Sequence, residues 1–598
     1  MSNEQIRRRA EEYVRREEDP EFRGEVESLL EREDWDELAD RFYTDLSFGT
    51  GGLRGVIGGG YNRMNPYNVR RATQGLADYL KKTTGAGQSG GQGRTGGAGH
   101  GGAVAIAYDS RNYSERFALE AAKVMAGNGI KTYLFTSLRP TPELSFAVRR
   151  LRANAGVVIT ASHNPSSYNG YKVYWDDGGQ IVPPHDKGII EEVRKVKAVS
   201  ALGEKQARDR GLLLSIDREI DEPYLDAVGK QSLRPDLVKR EGRRLKVVYT
   251  PLHGSGAVPV SRALERMGIS VRFVEEQKEP DGDFPTVEYP NPEEADALEM
   301  AIRLARRIKA DLVMGTDPDS DRLGIAVPEH GEFVLLTGNQ LGSLLADYIF
   351  STLHEQGRLP EKPALVKTIV TTDLQRRVAE SYGAVCVETL TGFKYIAEQI
   401  RRFEAQEDGP AYVFGGEESY GYLVGTQVRD KDAVSAAAMT AEMTLYHLSR
   451  GSSLMERLKW IYRRYGYFQE VLVSSRFEGQ EGFEKITALM EKLRSDPPEA
   501  WGGVAVRAIR DYQDGTTLYV DEGRRERDVD LPSSNVLQFV LEDQSRITAR
   551  PSGTEPKIKF YASCCTPPDV DLEQARSSVD ARIERIRREL EGLADAGG

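Results

Sequence analysis

Along most of the chain, short apolar runs alternate with longer amphipathic stretches. Past residue 102 the runs at 103–107, 131–135 and 156–160 read as strands, with a helix near 114–128 between the first two. The pattern returns at 245–249, 271–274 and 312–314, and again at 364–370, 385–388 and 412–414. Strands separated by helical stretches predict parallel-rich α/β layers. The last stretch differs, with strands expected at 467–475, 516–520, 536–541 and 557–563 and helices at 481–494 and 570–593. The expected fold is therefore α/β, three such units followed by a C-terminal α+β unit. The expected domains are 1–224, 225–338, 339–465 and 466–598. No short-period repeat interrupts this plan.

Two segments stand outside the alternation. Residues 1–43, rich in Glu, Arg and Leu and including Trp35 and Leu38, predict two or three charged, solvated helices capping the first domain. Residues 85–102 are rich in glycine and contain Gly85-Ala86-Gly87-Gln88-Ser89-Gly90. A dinucleotide fingerprint needs a strand before its glycines and a helix after them. Here a helix-like stretch at 68–82 precedes and more glycines follow, so the segment reads as a flexible surface loop.

Composition narrows the function classes. A length of 598 residues fits roughly three to five domains. A formal net charge of −12 argues against a nucleic-acid binder, which needs a basic surface. It leaves room for an anionic small substrate, since a local set of Arg, Lys and backbone N–H groups binds phosphate on an acidic protein. Cys386, Cys564 and Cys565 have neither metal-ligand spacing nor the numbers for a disulfide framework, so a reduced, cytoplasmic setting is expected. The charged N-terminal stretch lacks the apolar segment of a signal peptide, and with no run of about 18 apolar residues no membrane span is expected.

Four loops carry candidate chemistry. Thr160-Ala161-Ser162-His163-Asn164-Pro165 follows an apolar strand, which puts Ser162 at a strand's C-terminal end, where sites in α/β sheets gather. It is not a G-x-S-x-G elbow, and Ser-His before Asn-Pro also suits an ordinary turn. Gly315-Thr316-Asp317-Pro318-Asp319-Ser320-Asp321-Arg322 follows the next unit's strand. Three carboxylates at alternate positions converge on one hard cation, Mg²⁺ more than Zn²⁺; the other reading is a solvated acidic turn. An EF-hand would need Gly and Glu where Arg322 and Pro328 stand, and Asp321 at the fifth position disfavours an aspartate-nucleophile phosphatase. Gly415-Gly416-Glu417-Glu418-Ser419-Tyr420-Gly421-Tyr422 offers Glu and Ser to neighbouring sugar hydroxyls. Arg550-Pro551-Ser552-Gly553-Thr554-Glu555-Pro556 suits an anion-binding nest with a guanidinium beside it. Either of these last two is equally at home as a surface turn.

Together and in this order, the four loops resemble those of the α-D-phosphohexomutase superfamily, over about residues 45–561. The segments Phe48-Gly49-Thr50-Gly51-Gly52-Leu53-Arg54-Gly55, Asn169-Gly170-Tyr171-Lys172-Val173-Tyr174, Thr391-Gly392-Phe393-Lys394 and Val428-Arg429-Asp430-Lys431-Asp432-Ala433 are similar to those of long bacterial phosphoglucomutases and related phosphopentomutases. The resemblance implies four domains around a central cleft and a phosphorylated Ser162. It makes Asp317, Asp319 and Asp321 the Mg²⁺ ligands, with a phosphoserine oxygen completing the set. Glu417 and Ser419 would hold sugar hydroxyls beside Thr391 and Gly392, while Arg550, Ser552, Gly553 and Thr554 would grip the phosphate not being transferred. Arg54, His163, Lys172 and Arg322 would lie near the transferring phosphoryl group, with His163 and Lys172 both candidates for proton transfer.

The implied reaction interconverts glucose 1-phosphate and glucose 6-phosphate through glucose 1,6-bisphosphate, which also serves as activator. The same machinery would serve a phosphomannomutase, a phosphopentomutase or a hexose-bisphosphate synthase. A catalytically silent phosphosugar-binding protein is a reading of another class, and intact Ser162, Asp317, Asp319 and Asp321 count against it. A nucleotidyltransferase would need a Gly-rich loop after a first strand. The expected partners are small phosphosugars, with neither nucleic acid nor membrane; oligomeric state stays open. Two departures from the resemblance stand out: the Gly-rich insert, and Gly416, where close relatives often carry a bulky aromatic whose absence would leave room beside the sugar.

Overall fold

The computed structural model describes residues 1–49, 51–84, 102–477, 479–552 and 556–596. The glycine-rich loop expected at 85–102 thus falls, but for Gly102, outside the described residues, as do Gly553 and Thr554. The chain forms two compact units, 1–338 with 393–449, and 339–392 with 450–598.

In the first unit, a six-stranded sheet runs in the order Gly52–Val56, Tyr168–Trp175, Ala155–Ile159, Ala103–Tyr108, Lys131–Phe135, Leu213–Ile216. The last four strands are parallel neighbours, while Tyr168–Trp175 runs antiparallel to both of its neighbours. Central strand Ala155–Ile159 is buried throughout, as a sheet covered on both faces requires. Helix Pro66–Thr83 starts on Asn65, whose side chain accepts from Asn68 N, with Pro66 at its first position. It turns Val69, Leu76 and Leu80 onto the sheet, joined in one core by Phe117, Ile106 and Val157. Each such fully buried side chain contributes about 1.5–3 kcal/mol.

A second sheet has the order Glu332–Leu336, Leu323–Glu329, Leu312–Thr316, Val247–Thr250, Val271–Phe273. Its last three strands are parallel, and Leu323–Glu329 returns antiparallel to Leu312–Thr316, so residues 317–322 form a tight connection at one sheet end. The hairpin Ala411–Glu417 and Gly421–Val424 and the helices Phe393–Glu404 and Ala433–Ser449 complete this unit. Helix Ala433–Ser449 is built of small residues and is buried almost all round. Its Glu442, fully buried, accepts from Leu233 N (2.8 Å) and Arg234 N (3.0 Å).

The N-terminal stretch forms helices Asn3–Arg16, Pro20–Arg32 and Trp35–Phe42. They are more than a solvated cap. Tyr13, Phe42, Tyr61 and Tyr67 pack as an aromatic cluster with centroids 5.4–5.8 Å apart, and Phe22 enters the core of the first sheet. Glu25 accepts from Gly59 N (2.8 Å), Arg41 donates to Gly59 O (3.0 Å), and Glu17 accepts from Tyr67 N (3.1 Å). The charge pattern marks the outer face correctly and conceals the inner one.

In the second unit, parallel strands Pro363–Thr368 and Val385–Thr389 accompany an antiparallel sheet. Its order is Phe468–Arg476, Lys557–Cys565, Arg546–Pro551, Leu537–Leu541, Val504–Asp511, Thr516–Tyr519, Arg524–Glu526, with Ala500–Trp501 paired to Val504–Asp511. Helices Gly479–Ser495 and Leu572–Ala596 accompany this sheet, which gives the expected α+β region. Fully buried Lys367 pairs with Asp373 (3.0 Å) and Glu388 (2.9 Å), and Arg546 reaches both carboxylates at 2.7 Å, anchoring the start of strand Arg546–Pro551. Among the described residues no helix is long and apolar enough to cross a membrane.

Candidate active site

Strand Ala155–Ile159 delivers the Ser162 loop to the same place as the loop that follows Leu312–Thr316. Ser162 is buried and held at φ +54°, a left-handed conformation costly for any residue with a Cβ. Its N–H donates to Thr160 Oγ1 (2.8 Å), and its Oγ donates to Asp317 Oδ2 (2.8 Å) and lies 3.2 Å from His163 Nδ1. Burial, then the cations Arg322 and Arg54, push the His163 imidazole well below its ordinary pKa, so the ring is neutral at pH 7. Arg54, on strand Gly52–Val56, donates to Asn164 Oδ1 at 3.4 Å.

Asp317, Asp319 and Asp321 are all buried, and one oxygen from each lies within 4.8 Å of the others. Their remaining partners divide the labour. Asp317 Oδ1 accepts from Asp321 N (3.1 Å) and Arg322 N (3.0 Å). Asp319 Oδ2 accepts from Lys172 Nζ (2.7 Å) and Thr141 Oγ1 (2.8 Å). Asp321 Oδ2 faces Lys431 Nζ at 3.0 Å and Lys172 Nζ at 3.6 Å. The Oδ1 atoms of Asp319 and Asp321 are buried without a hydrogen-bond partner. Two orphaned carboxylate oxygens beside a third carboxylate fit an oxygen-seeking cation, since such groups are costly left unpaired. The residues present can therefore hold a metal ion. Burial and the charges of Asp319 and Asp321 raise Asp317, whereas Lys172 and Thr141 outweigh burial and keep Asp319 low.

The turn between Glu417 and Gly421 is stitched to this loop. Glu417 ends strand Ala411–Glu417 opposite Gly421, Tyr420 O accepts from Leu323 N (3.0 Å), and Ala433 N donates to Ser320 O (3.2 Å). Arg322 pairs with Glu293. Ser419 lies in the same turn. Arg54, Ser162, His163, Lys172, the three aspartates, Arg322, Glu417 and Ser419 thus all belong to one unit. Thr391, Gly392 (φ +115°), Arg550 and Ser552 belong to the other. There, Arg550 stands directly opposite Lys559 across the pair of strands.

Sequence reasoning missed several of these partners. Lys431 lies within the segment 428–433 already singled out, and its stem crosses Gly421 so closely that a Cβ there would sit 2.0 Å from Lys431 Cδ. Gly421→Ala should therefore displace Lys431 from Asp321 and destabilise the fold by about 1–3 kcal/mol, read as a lower melting temperature; an unchanged melt would contradict this packing. Thr141 opens helix Thr141–Leu151, whose Pro-Thr-Pro-Glu start is a legible helix signal. Gly416 leaves no spare room: a Cβ there would meet Gly421 O at 2.9 Å and the Tyr422 ring at 3.2 Å.

A buried serine and a three-carboxylate loop at the ends of α/β sheets, with the turn at 417–421 tied beside them, suit a phosphoryl-transfer enzyme of the sugar-phosphate kind. Family models described as phosphoglucomutase/phosphomannomutase α/β/α domains I, II and III match residues 45–200, 222–331 and 337–465. A phosphoglucomutase of Staphylococcus aureus (strain USA300) is 36% identical over 559 residues, covering 92% of this chain and 95% of that one. One from Staphylococcus epidermidis (strain ATCC 12228) is 37% identical, covering 90% and 94%. Among solved structures, the fold is similar to Paramecium parafusin in its open form, with TM-score 0.68, 17% identity and coverage of 92% and 96%. It is also similar to a phosphomannomutase described as putative from Thermus thermophilus, with TM-score 0.65, 24% identity and coverage of 92% and 99%. The chain belongs to the phosphoglucomutase/phosphomannomutase family. It is an isomerase that works by intramolecular phosphoryl transfer.

Proposed function

We propose that the chain interconverts glucose 1-phosphate and glucose 6-phosphate with Ser162 as phosphoryl carrier. The observation that carries this reading is the 2.8 Å contact between Ser162 Oγ and Asp317, beside two buried carboxylate oxygens that have no partner. Asp317, Asp319 and Asp321 would hold Mg²⁺, which when bound supplies positive charge to the transferred group. The phosphoserine O–P bond breaks as the sugar's free hydroxyl oxygen bonds to phosphorus, and the hydroxyl proton passes to the neutral imidazole of His163; Lys172, kept an ammonium by Asp319 and Asp321, has no lone pair to accept it. Arg54 and Arg322 offset charge on the moving phosphoryl group. The resulting glucose 1,6-bisphosphate turns end for end and returns its other phosphoryl group to Ser162. Glu417 and Ser419 hold the hydroxyls, while Arg550, Ser552, Gly553 and Thr554 hold the idle phosphate, with Thr391 and Gly392 beside the sugar. The setting is a reducing cytoplasm, which suits three cysteines that form no disulfide.

The test is kcat/KM for glucose, mannose, galactose and ribose 1-phosphates with bisphosphate activator. Glucose and mannose present the same C3 and C4 hydroxyls; galactose inverts C4 and would leave a buried polar partner unpaired. Glucose 1-phosphate should be best, mannose 1-phosphate weaker, and galactose 1-phosphate at least about 100-fold poorer than glucose. Equal rates with galactose would overturn the role of Glu417 and Ser419, and a clear preference for ribose would replace the hexose assignment.

A further inference from the structure

One buried guanidinium lies behind the Ser162 loop. Arg111 donates to four carbonyls of the segment that carries Ser162: those of Ser162, Asn164, Pro165 (2.7 Å) and Tyr168 (3.0 Å). Its own side chain is fully buried and pairs with buried Asp109 at 3.4 Å, while Asp109 Oδ1 accepts from Arg111 N (3.0 Å) and Ser114 Oγ (2.8 Å). The ring of Phe284, from the second sheet's side of the same unit, lies over the guanidinium at 5.0 Å. Asn112 ties that loop down through Asp283 (2.6 Å).

Two physical consequences follow. A non-glycine residue at φ +54° stays there only where its surroundings over-determine it, and the donors of Arg111 pin that strained residue's own carbonyl and the carbonyls of Asn164, Pro165 and Tyr168 after it. Carbonyl oxygens are also the negative ends of the peptide dipoles. Drawn inward to Arg111, they are kept from a group that carries a phosphate dianion, with a positive charge shielded from water placed behind them.

We propose that Arg111 is a positioning residue for phosphoryl transfer, fixing Ser162 and orienting its loop's dipoles away from the phosphoryl group. The inference rests on Ser162 being the phosphoryl carrier. Neither Asp109 nor Arg111 needs to touch substrate, so the effect should fall on kcat and spare KM.

The experiment compares wild type, Arg111→Met, Arg111→Lys and Phe284→Ala. For each, circular dichroism tests folding, steady-state kinetics gives kcat and KM for glucose 1-phosphate, and rapid quench with intact-mass analysis gives the rate of Ser162 phosphorylation by glucose 1,6-bisphosphate. Misplacing a reacting group by about 1 Å costs about 100-fold. Folded Arg111→Met should therefore lose about 100-fold in both kcat and the phosphorylation rate, with KM within about threefold of wild type. Arg111→Lys, which keeps the charge but not the planar fork, should recover part of that loss. Phe284→Ala keeps the donors and only admits water, so its kcat should fall by several-fold. A folded Arg111→Met with wild-type phosphorylation rate overturns the proposal; should that variant not fold, an unchanged kcat in Phe284→Ala does so. Absence of phosphate on Ser162 in the wild-type enzyme would instead refute the carrier role itself, which separates the two failures.

Discussion

Ser162→Ala is expected to leave the fold intact and to lower mutase turnover by at least about 10³-fold, the scale on which loss of a covalent carrier is felt. The fold should survive because the loop is held through its backbone, by Arg111 and by the pairing of Thr160 N with Gly170 O, while the side chain offers only contacts to Asp317 and His163. Lys172 is paired to Asp319 and Asp321 and so is not free to take over as carrier. Intact-mass analysis of active wild type should find one phosphate, absent from the variant. Retained turnover in Ser162→Ala would remove Ser162 from the mechanism.

Asp319→Asn should have the next largest effect. One oxygen of Asp319 is bonded to Lys172 and Thr141 and the other has no partner, so a single side chain both fixes Lys172 and offers a ligand atom. The amide keeps the shape but loses the charge that a hard cation needs. Turnover should fall by about 10²–10³-fold, the range found when a transition-state charge loses a stabilising partner. Mg²⁺ should also stop raising the melting temperature, because a ligand stabilises only the state that binds it. Wild type should be inactivated by chelator and restored by Mg²⁺. A variant still stabilised by Mg²⁺ to the wild-type extent would show that Asp319 is no ligand.

The loops at 160–165, 315–322 and 415–422 are legible in the sequence because each follows a short apolar strand and breaks abruptly into polar residues and glycine. The return strands beside them are not. Tyr168–Trp175 and Leu323–Glu329 lie antiparallel among parallel neighbours, and in the sequence they merge with the motifs they flank. Val504–Asp511 escapes notice because a register shift between Val506 and Ala508 breaks its alternation. Arg546–Pro551 hides behind Arg546, Arg550 and a terminal proline, although Ile547 and Ala549 face the core. Partners such as Thr141, Arg111, Glu293 and Lys431 meet the site only across 29 to 178 residues of sequence separation. No local pattern encodes such meetings.

The three N-terminal helices end before residue 45, where the family match begins. Homology and cooperativity therefore draw different borders. A chain shortened to start at 45 would lose Phe22 from the core of the first sheet and expose Phe117 and Tyr113, which pack on it at 6.2 and 5.3 Å. It would also free Gly59, whose N–H and carbonyl are held by Glu25 and Arg41. That glycine lies three residues beyond strand Gly52–Val56, which bears Arg54. Trimming the helices that precede the matched domain would thus slacken the tether of the strand that bears Arg54, and recombination between relatives at that seam would carry the same penalty.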